Sequence, residues 1–283
     1  MKPIGQAAQP PAAYRFRISL ILKFAWAVLR GRTRDLAADV AASLLAVRPP
    51  PRIVNDERIP PEGPFVLVAN HYERPGLKVF WGGTLASHAV AQRRTSHRSL
   101  RWLMTSEWYN FRLGPIPVPI AVLRWLFRRI ARVYGLVIVP RPAERGVGRA
   151  AALRTILNVA RGSGEAIGLY PEAIGTGQLI APMPGVGLFL LSLSNHGIPI
   201  LPVGIFEEEG RLTVSFGPPF SIQVPRAADK GERDRLASQQ VMVAIGRLLP
   251  PPLWGAYAPA IEEALPLSEA KDQGSEQTTL QSE

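Results

Sequence analysis

A chain of 283 residues can bury one sizeable core, which fits a single α/β domain with extensions at both ends. Its net charge of +11 asks for something anionic to bind: a lipid headgroup layer, nucleic acid or an acidic carrier. With no cysteine, disulfides, Cys-ligated zinc and thiol catalysis are excluded.

In chain order, residues 1–13 are rich in Pro and Ala and read as disordered. Residues 14–52 read as N-terminal apolar and basic helices, Phe16–Leu29 and Asp35–Val47, closed by the stiff run Arg48-Pro-Pro-Pro-Arg52. The first helix is apolar on nearly every face, and such a helix must bury itself in protein or lipid. No run reaches the ~18–20 apolar residues that span a bilayer. The Arg-flanked N-terminus also lacks a cleaved-signal pattern. A peripheral place on the cytoplasmic face of a membrane is the expectation.

Residues 53–255 read as the main domain. Strand-length apolar runs fall at Phe65–Ala69, Trp102–Met104, Leu136–Val139, Ala166–Tyr170, Ile200–Phe206 and Leu212–Phe216. Helical patterns at Gly76–Val90, Val122–Tyr134, Arg149–Ala160 and Glu232–Leu249 separate or follow them. That alternation predicts an α/β fold with a mostly parallel mixed sheet flanked by helices. The last two strands, joined by Glu207-Glu-Glu-Gly210, read as a hairpin. Residues 256–283 read as a polar, acidic and largely disordered tail.

Two of the strand-like runs end in residues that can do chemistry. Val68-Ala-Asn-His-Tyr-Glu-Arg-Pro-Gly76 places His71 just past a buried strand, and Gly168-Leu-Tyr-Pro-Glu-Ala-Ile-Gly-Thr-Gly177 places Glu172 just past another. The C-terminal edge of such a sheet is where α/β proteins put ligands. A histidine there can act as a general base toward a substrate hydroxyl; it can also be a loop histidine bonded to backbone. Glu172 can hold an acceptor hydroxyl or cap the following turn.

These blocks resemble the first and third motifs of the glycerolipid acyltransferase superfamily, which includes the lysophosphatidic acid acyltransferases. Leu136-Val-Ile-Val-Pro-Arg141 resembles the second motif and Ile198-Pro-Ile-Leu-Pro-Val-Gly204 the fourth. Pro184-Gly185 and Phe216-Gly-Pro-Pro-Phe220 add to an ordered match from about Phe65 to Phe220. The resemblance implies transfer of a fatty acyl group from a CoA or acyl-carrier-protein thioester to a lysophospholipid-type hydroxyl, with no metal or other cofactor. It implies His71 as base and Asn70, Arg141, Pro171, Glu172, Gly175, Thr176 and Gly177 around the acceptor.

The chain departs from the pattern twice. The family places an aspartate where this chain has Gly76, and Glu73 is the nearest carboxylate that could replace it as a catalytic group beside His71. The third motif lacks the family's arginine. The alternative reading is a non-catalytic lipid-binding relative at the membrane surface.

The basic charge is clustered. Between Arg93 and Arg161 there are 14 arginines against two acids, Glu107 and Glu144. Arg124, Arg128 and Arg132 recur at helical spacing on one stripe of Val122–Tyr134, which suits an anionic membrane or the solvated face of a core helix. Arg93, Arg94, Arg98 and Arg101 form a second group that could meet lipid phosphates, the phosphates of an acyl-CoA or an acidic acyl carrier protein. No zinc-finger, RRM-like or KH-like pattern appears, so no nucleic-acid partner is expected. No Gly-x-Ser-x-Gly elbow marks a serine hydrolase.

Overall fold

The computed structural model describes residues 14–15, 18–44, 46–98, 100–105, 112–113, 115–139, 154, 156–159, 162, 164–175 and 177–265. Its centre is a seven-stranded sheet of β1 (Arg52–Val54), β2 (Val66–Ala69), β3 (Arg101–Thr105), β6 (Val137–Val139), β7 (Ile167–Leu169), β8 (Ile200–Glu208) and β9 (Arg211–Phe216), in the order β1-β9-β8-β2-β7-β3-β6. A two-stranded ribbon, β4 (Arg112–Leu113) with β5 (Ile116–Pro117), stands apart. Every pairing in the large sheet is parallel except β8 with β9. Those two form the expected hairpin, and its turn residues Glu209 and Gly210 both have positive φ (51° and 72°), as a type I′ turn requires.

Strand β2 lies between β7 and β8 and is fully buried, Val66 to Ala69 without a break. A continuous apolar run, rather than an alternating one, is what a strand covered on both faces needs. Leu67 and Ala69 point to one core with α2 (Leu36–Leu44) and α3 (Val79–Arg93). Val66 and Val68 point to the other, built with α5 (Val186–Asn195), α6 (Lys230–Gly246) and α7 (Ala258–Ala264). Asp234 of α6 accepts the backbone N–H groups of Gly185 (2.7 Å) and Leu188 (2.9 Å), satisfying donors that the start of α5 leaves orphaned.

Helix α1 (Ile18–Arg30) packs on α4 (Ile120–Tyr134) through Ala27, Val28 and Val133, with Phe24 stacked on Tyr134 at 5.8 Å. The segment read as tail contains α7, whose buried Ile261 fills the space over Gly246. That corrects the expectation for residues 256–265: Tyr257, Ala258, Ile261 and Leu265 dock this stretch on the core, and its only acids are Glu262 and Glu263. Residues 1–13 and 266–283, and most of the Arg149–Ala160 helix, lie outside the described residues. Among the described residues, no helix is long and apolar enough to cross a membrane.

Candidate active site

Parallel pairing of β2 with β7 runs Val66 to Ile167, Leu67 to Gly168 and Val68 to Leu169. The same offset continued past the strand ends sets His71 beside Glu172. The two motifs thus meet because the strands carrying them are neighbours in register. Glu172 is buried, and its Oε2 accepts the His71 backbone N–H at 2.6 Å while Oε1 accepts that of Ile180 at 2.9 Å. Burial pushes this carboxyl above its ordinary pKa, and the two N–H donors pull it back down. Both carboxylate oxygens of Glu172 are thus engaged by backbone N–H groups. Glu172 is a brace between the loop after β7 and the residue that carries the imidazole.

Asn70 is likewise occupied. Its amide donates to the carbonyl of Ile205 (2.8 Å) and accepts from the N–H of Ile205 (2.7 Å), imitating one more rung of the β2–β8 ladder. A peptide-like side chain, buried with both ends paired, fixes the strand end and is held by the sheet rather than turned to an open site. Pro171 is also used internally, its carbonyl accepting from Met183.

The imidazole stands against an aromatic slab. Tyr170 meets the His71 ring edge-on at 5.3 Å and stacks on Trp102 at 4.7 Å. Trp102 is anchored by Nε1–H to Ser87 (2.8 Å), and the Tyr170 hydroxyl donates to the carbonyl of Val79 (3.3 Å). Gly168 leaves room for the Trp102 ring, and Gly83 for the Tyr170 hydroxyl. The sequence reading missed this slab; a glycine inside a short buried strand was its one visible signal.

Gly175 presses on the histidine from the other side. A Cβ there would lie 2.7 Å from His71 Nδ1, 2.9 Å from the His71 carbonyl and 2.6 Å from Glu73 Cγ. Nδ1 is thereby enclosed, and among the described residues it has no hydrogen-bond partner. That leaves Nε2 as the nitrogen open to a substrate. Burial holds the His71 pKa below its ordinary value, opposed by the nearby negative charge of Glu73 and by the residue's own backbone. Glu73 itself lies 3.9 Å from Lys78 Nζ, so the carboxylate expected beside His71 is turned to a lysine instead.

Gly76 sits in a tight turn closed by Arg74 N–H to Leu77 O (3.0 Å) and Leu77 N–H to Arg74 O (2.9 Å), with φ +84°. Pro75 followed by Gly76 is the type II turn pair. A side chain built there would start 3.4 Å from Arg74 Nη1, and Arg74 is forked onto Glu207.

The remaining candidates divide. Arg124, Arg128 and Arg132 are exposed on α4, as their spacing predicts. Arg93 is paired to Asp56, with bonds of 2.7 and 2.8 Å. Arg94 is buried and donates to the carbonyls of Gly63 (2.9 Å) and Gly164 (2.7 Å), so it is a clamp between loops rather than a membrane contact. Arg98 and Arg101 converge on buried Glu165. Arg101 is in register with Ile167 and hence with Val66, at the start of the parallel strands. That edge is five residues from His71, roughly 16 Å at ~3.3 Å per residue. Gly177 has positive φ and open space around it; Arg141 and Thr176 lie outside the described residues. Among the described residues, no cluster of ligands suits a metal ion.

No protein-family model and no curated protein sequence matches the chain. Among solved structures it is similar to the 1-acyl-sn-glycerophosphate (LPA) acyltransferase PlsC from Thermotoga maritima, at 14% identity. The match covers 77% of this chain and 86% of that one, with a TM-score of 0.44.

Proposed function

We propose that this chain is a peripheral membrane acyltransferase. It moves a fatty acyl group from a CoA or carrier-protein thioester to the hydroxyl of a lysophospholipid or related lipid. The observation that carries the reading is His71 itself: a half-buried imidazole at the end of the central strand, braced by Glu172, with Nε2 left open. In the reaction Nε2 takes the hydroxyl proton as that oxygen attacks the thioester carbonyl. The tetrahedral intermediate then collapses, the C–S bond breaks, and the imidazolium returns the proton to the leaving sulfur. The charge balance needs no metal and no further cofactor.

Support for the membrane surface comes from α1. Ile18, Leu22, Trp26 and Leu29 recur on one stripe and are 75%, 65%, 53% and 65% exposed, while the opposite side packs on α4. Arg30 lies over the Trp26 ring at 4.3 Å, and α4 adds exposed Val122 and Trp125 next to its arginines. An apolar stripe edged with arginine suits an anionic leaflet. That Nδ1 has no partner among the described residues favours the second reading, a lipid-binding relative without turnover.

The test is thioester consumption by purified protein and by His71→Ala, using acyl-CoA and acyl-carrier donors with lysolipid acceptors in anionic vesicles. Turnover lost in His71→Ala is expected. Vesicle binding without turnover in the wild type would leave the second reading. For the surface, Leu22→Glu with Leu29→Glu should abolish sedimentation with vesicles while the circular dichroism spectrum stays unchanged.

A further inference from the structure

A histidine acting as base through Nε2 must carry its proton on Nδ1, and a proton buried there without an acceptor costs roughly 1–3 kcal/mol. Nδ1 of His71 is enclosed against Gly175, and among the described residues no acceptor meets it in hydrogen-bond geometry. The neutral ring therefore rests with its proton on Nε2, where water can accept it, and the lone pair on the enclosed side. In that tautomer the imidazole donates to a substrate and cannot take its proton.

Glu73 is placed to reverse this. Its Cγ and His71 Nδ1 lie 2.6 and 2.7 Å from the same point, the Cβ position of Gly175. The two atoms are thus at most about 5.3 Å apart, and a carboxylate oxygen two bonds beyond Cγ can reach the ~2.8 Å of a charge-assisted hydrogen bond. What holds it elsewhere is weak: Lys78 Nζ at 3.9 Å, its side chain 66% exposed. Loose exposed pairs of this kind contribute little.

Resting on the acyl-transfer reading, we propose that Glu73 is a positioning residue that swings from Lys78 onto His71 Nδ1 when the acceptor is bound. The swing draws the ring into the Nδ1–H tautomer that frees Nε2 as base. Glu73 then neutralises the imidazolium formed by proton transfer, and Lys78 is its parking partner in the resting site. Gly175 is required because any side chain there would occupy the space in which carboxylate and imidazole meet. Position 76, held in a turn that faces Arg74, takes no part.

The test pairs kinetics with ¹⁵N NMR of the histidine rings, of which the chain has only four, His71 being assigned by its loss in His71→Gln. A long-chain acyl-CoA and a lysophospholipid in anionic vesicles are the substrates. Glu73→Gln is expected to lower kcat by at least 10²-fold at unchanged KM, and to lower the His71 pKa on the order of one unit. Lys78→Met should leave kcat at least at the wild-type level and raise that pKa. A merely structural glutamate would change neither the His71 titration nor kcat in this one-sided way. Glu73→Gln with wild-type kcat and an unmoved His71 titration would overturn the proposal while leaving acyl transfer intact. If the wild type shows no His71-dependent turnover, the acyl-transfer reading falls instead. The titration then decides the pairing alone: a lowered His71 pKa in Glu73→Gln supports it, and an unchanged one overturns it.

Discussion

The two ends of the parallel strands are built from similar residues to opposite effect. At the N-terminal edge Arg94, Arg98 and Arg101 are spent on backbone carbonyls and on Glu165. At the C-terminal edge Asn70 and Glu172 are equally occupied, but they hold in place one ring whose Nδ1 has no partner among the described residues. A buried polar group without a partner is costly, so its presence in an otherwise paired frame marks the place where a ligand or a moving side chain is expected. Arginine density marks the N-terminal edge, and the enclosed imidazole marks the C-terminal one.

The largest effect that would break this contrast is at His71: His71→Gln should remove all thioester turnover, and residual rate above background would place the chemistry elsewhere. Next is Gly175→Ala. Its Cβ would overlap Nδ1, Glu73 and backbone, so turnover should fall at least 10²-fold; overpacking should cost about 1–3 kcal/mol by denaturant melt. Glu172→Ala orphans the N–H groups of His71 and Ile180. The expected loss is roughly 1–3 kcal/mol for each, with kcat reduced because the ring loses its brace. At the other edge, Arg94→Ala should cost roughly 1–3 kcal/mol, since a buried guanidinium's bonds to two loop carbonyls go, yet leave kcat unchanged in the folded fraction. Gly76→Asp is the smallest. It should cost about 1–2 kcal/mol for a side chain at positive φ, with no gain in turnover, since its side chain starts toward Arg74.

The pH dependence sharpens the same point. His71 binds its proton less readily folded than unfolded, because burial disfavours the cation. As pH falls below the ordinary value of about 6.5, the unfolded chain is protonated first and stability declines until the lowered folded pKa is passed. Above 6.5 the contribution is flat. His71→Gln should remove that acid-side slope, read from denaturant melts across the pH range.

Much of the frame was legible in the residues. Continuous apolar runs placed β2 and β7, and the ends of those runs picked out His71 and Glu172 as a pair. Roles were not legible, because role depends on what stands opposite. Asn70 reads as a ligand until Ile205 on β8 closes both ends of its amide, and Arg94 reads as a phosphate contact until two loop carbonyls claim it.

What the sequence by itself determined is the alternation of strand and helix, the polar residues that end the central strands, and the lack of thiol chemistry. Hydrophobic period and composition are local properties and need no partner to be read. Tertiary structure alone decided that β7 lies in register beside β2, that Tyr170 and Gly175 enclose the His71 ring, and that Glu73 rests on Lys78. Each of these is a contact or close approach set by the packed chain, whether across about a hundred residues or within one turn, and no local pattern encodes it.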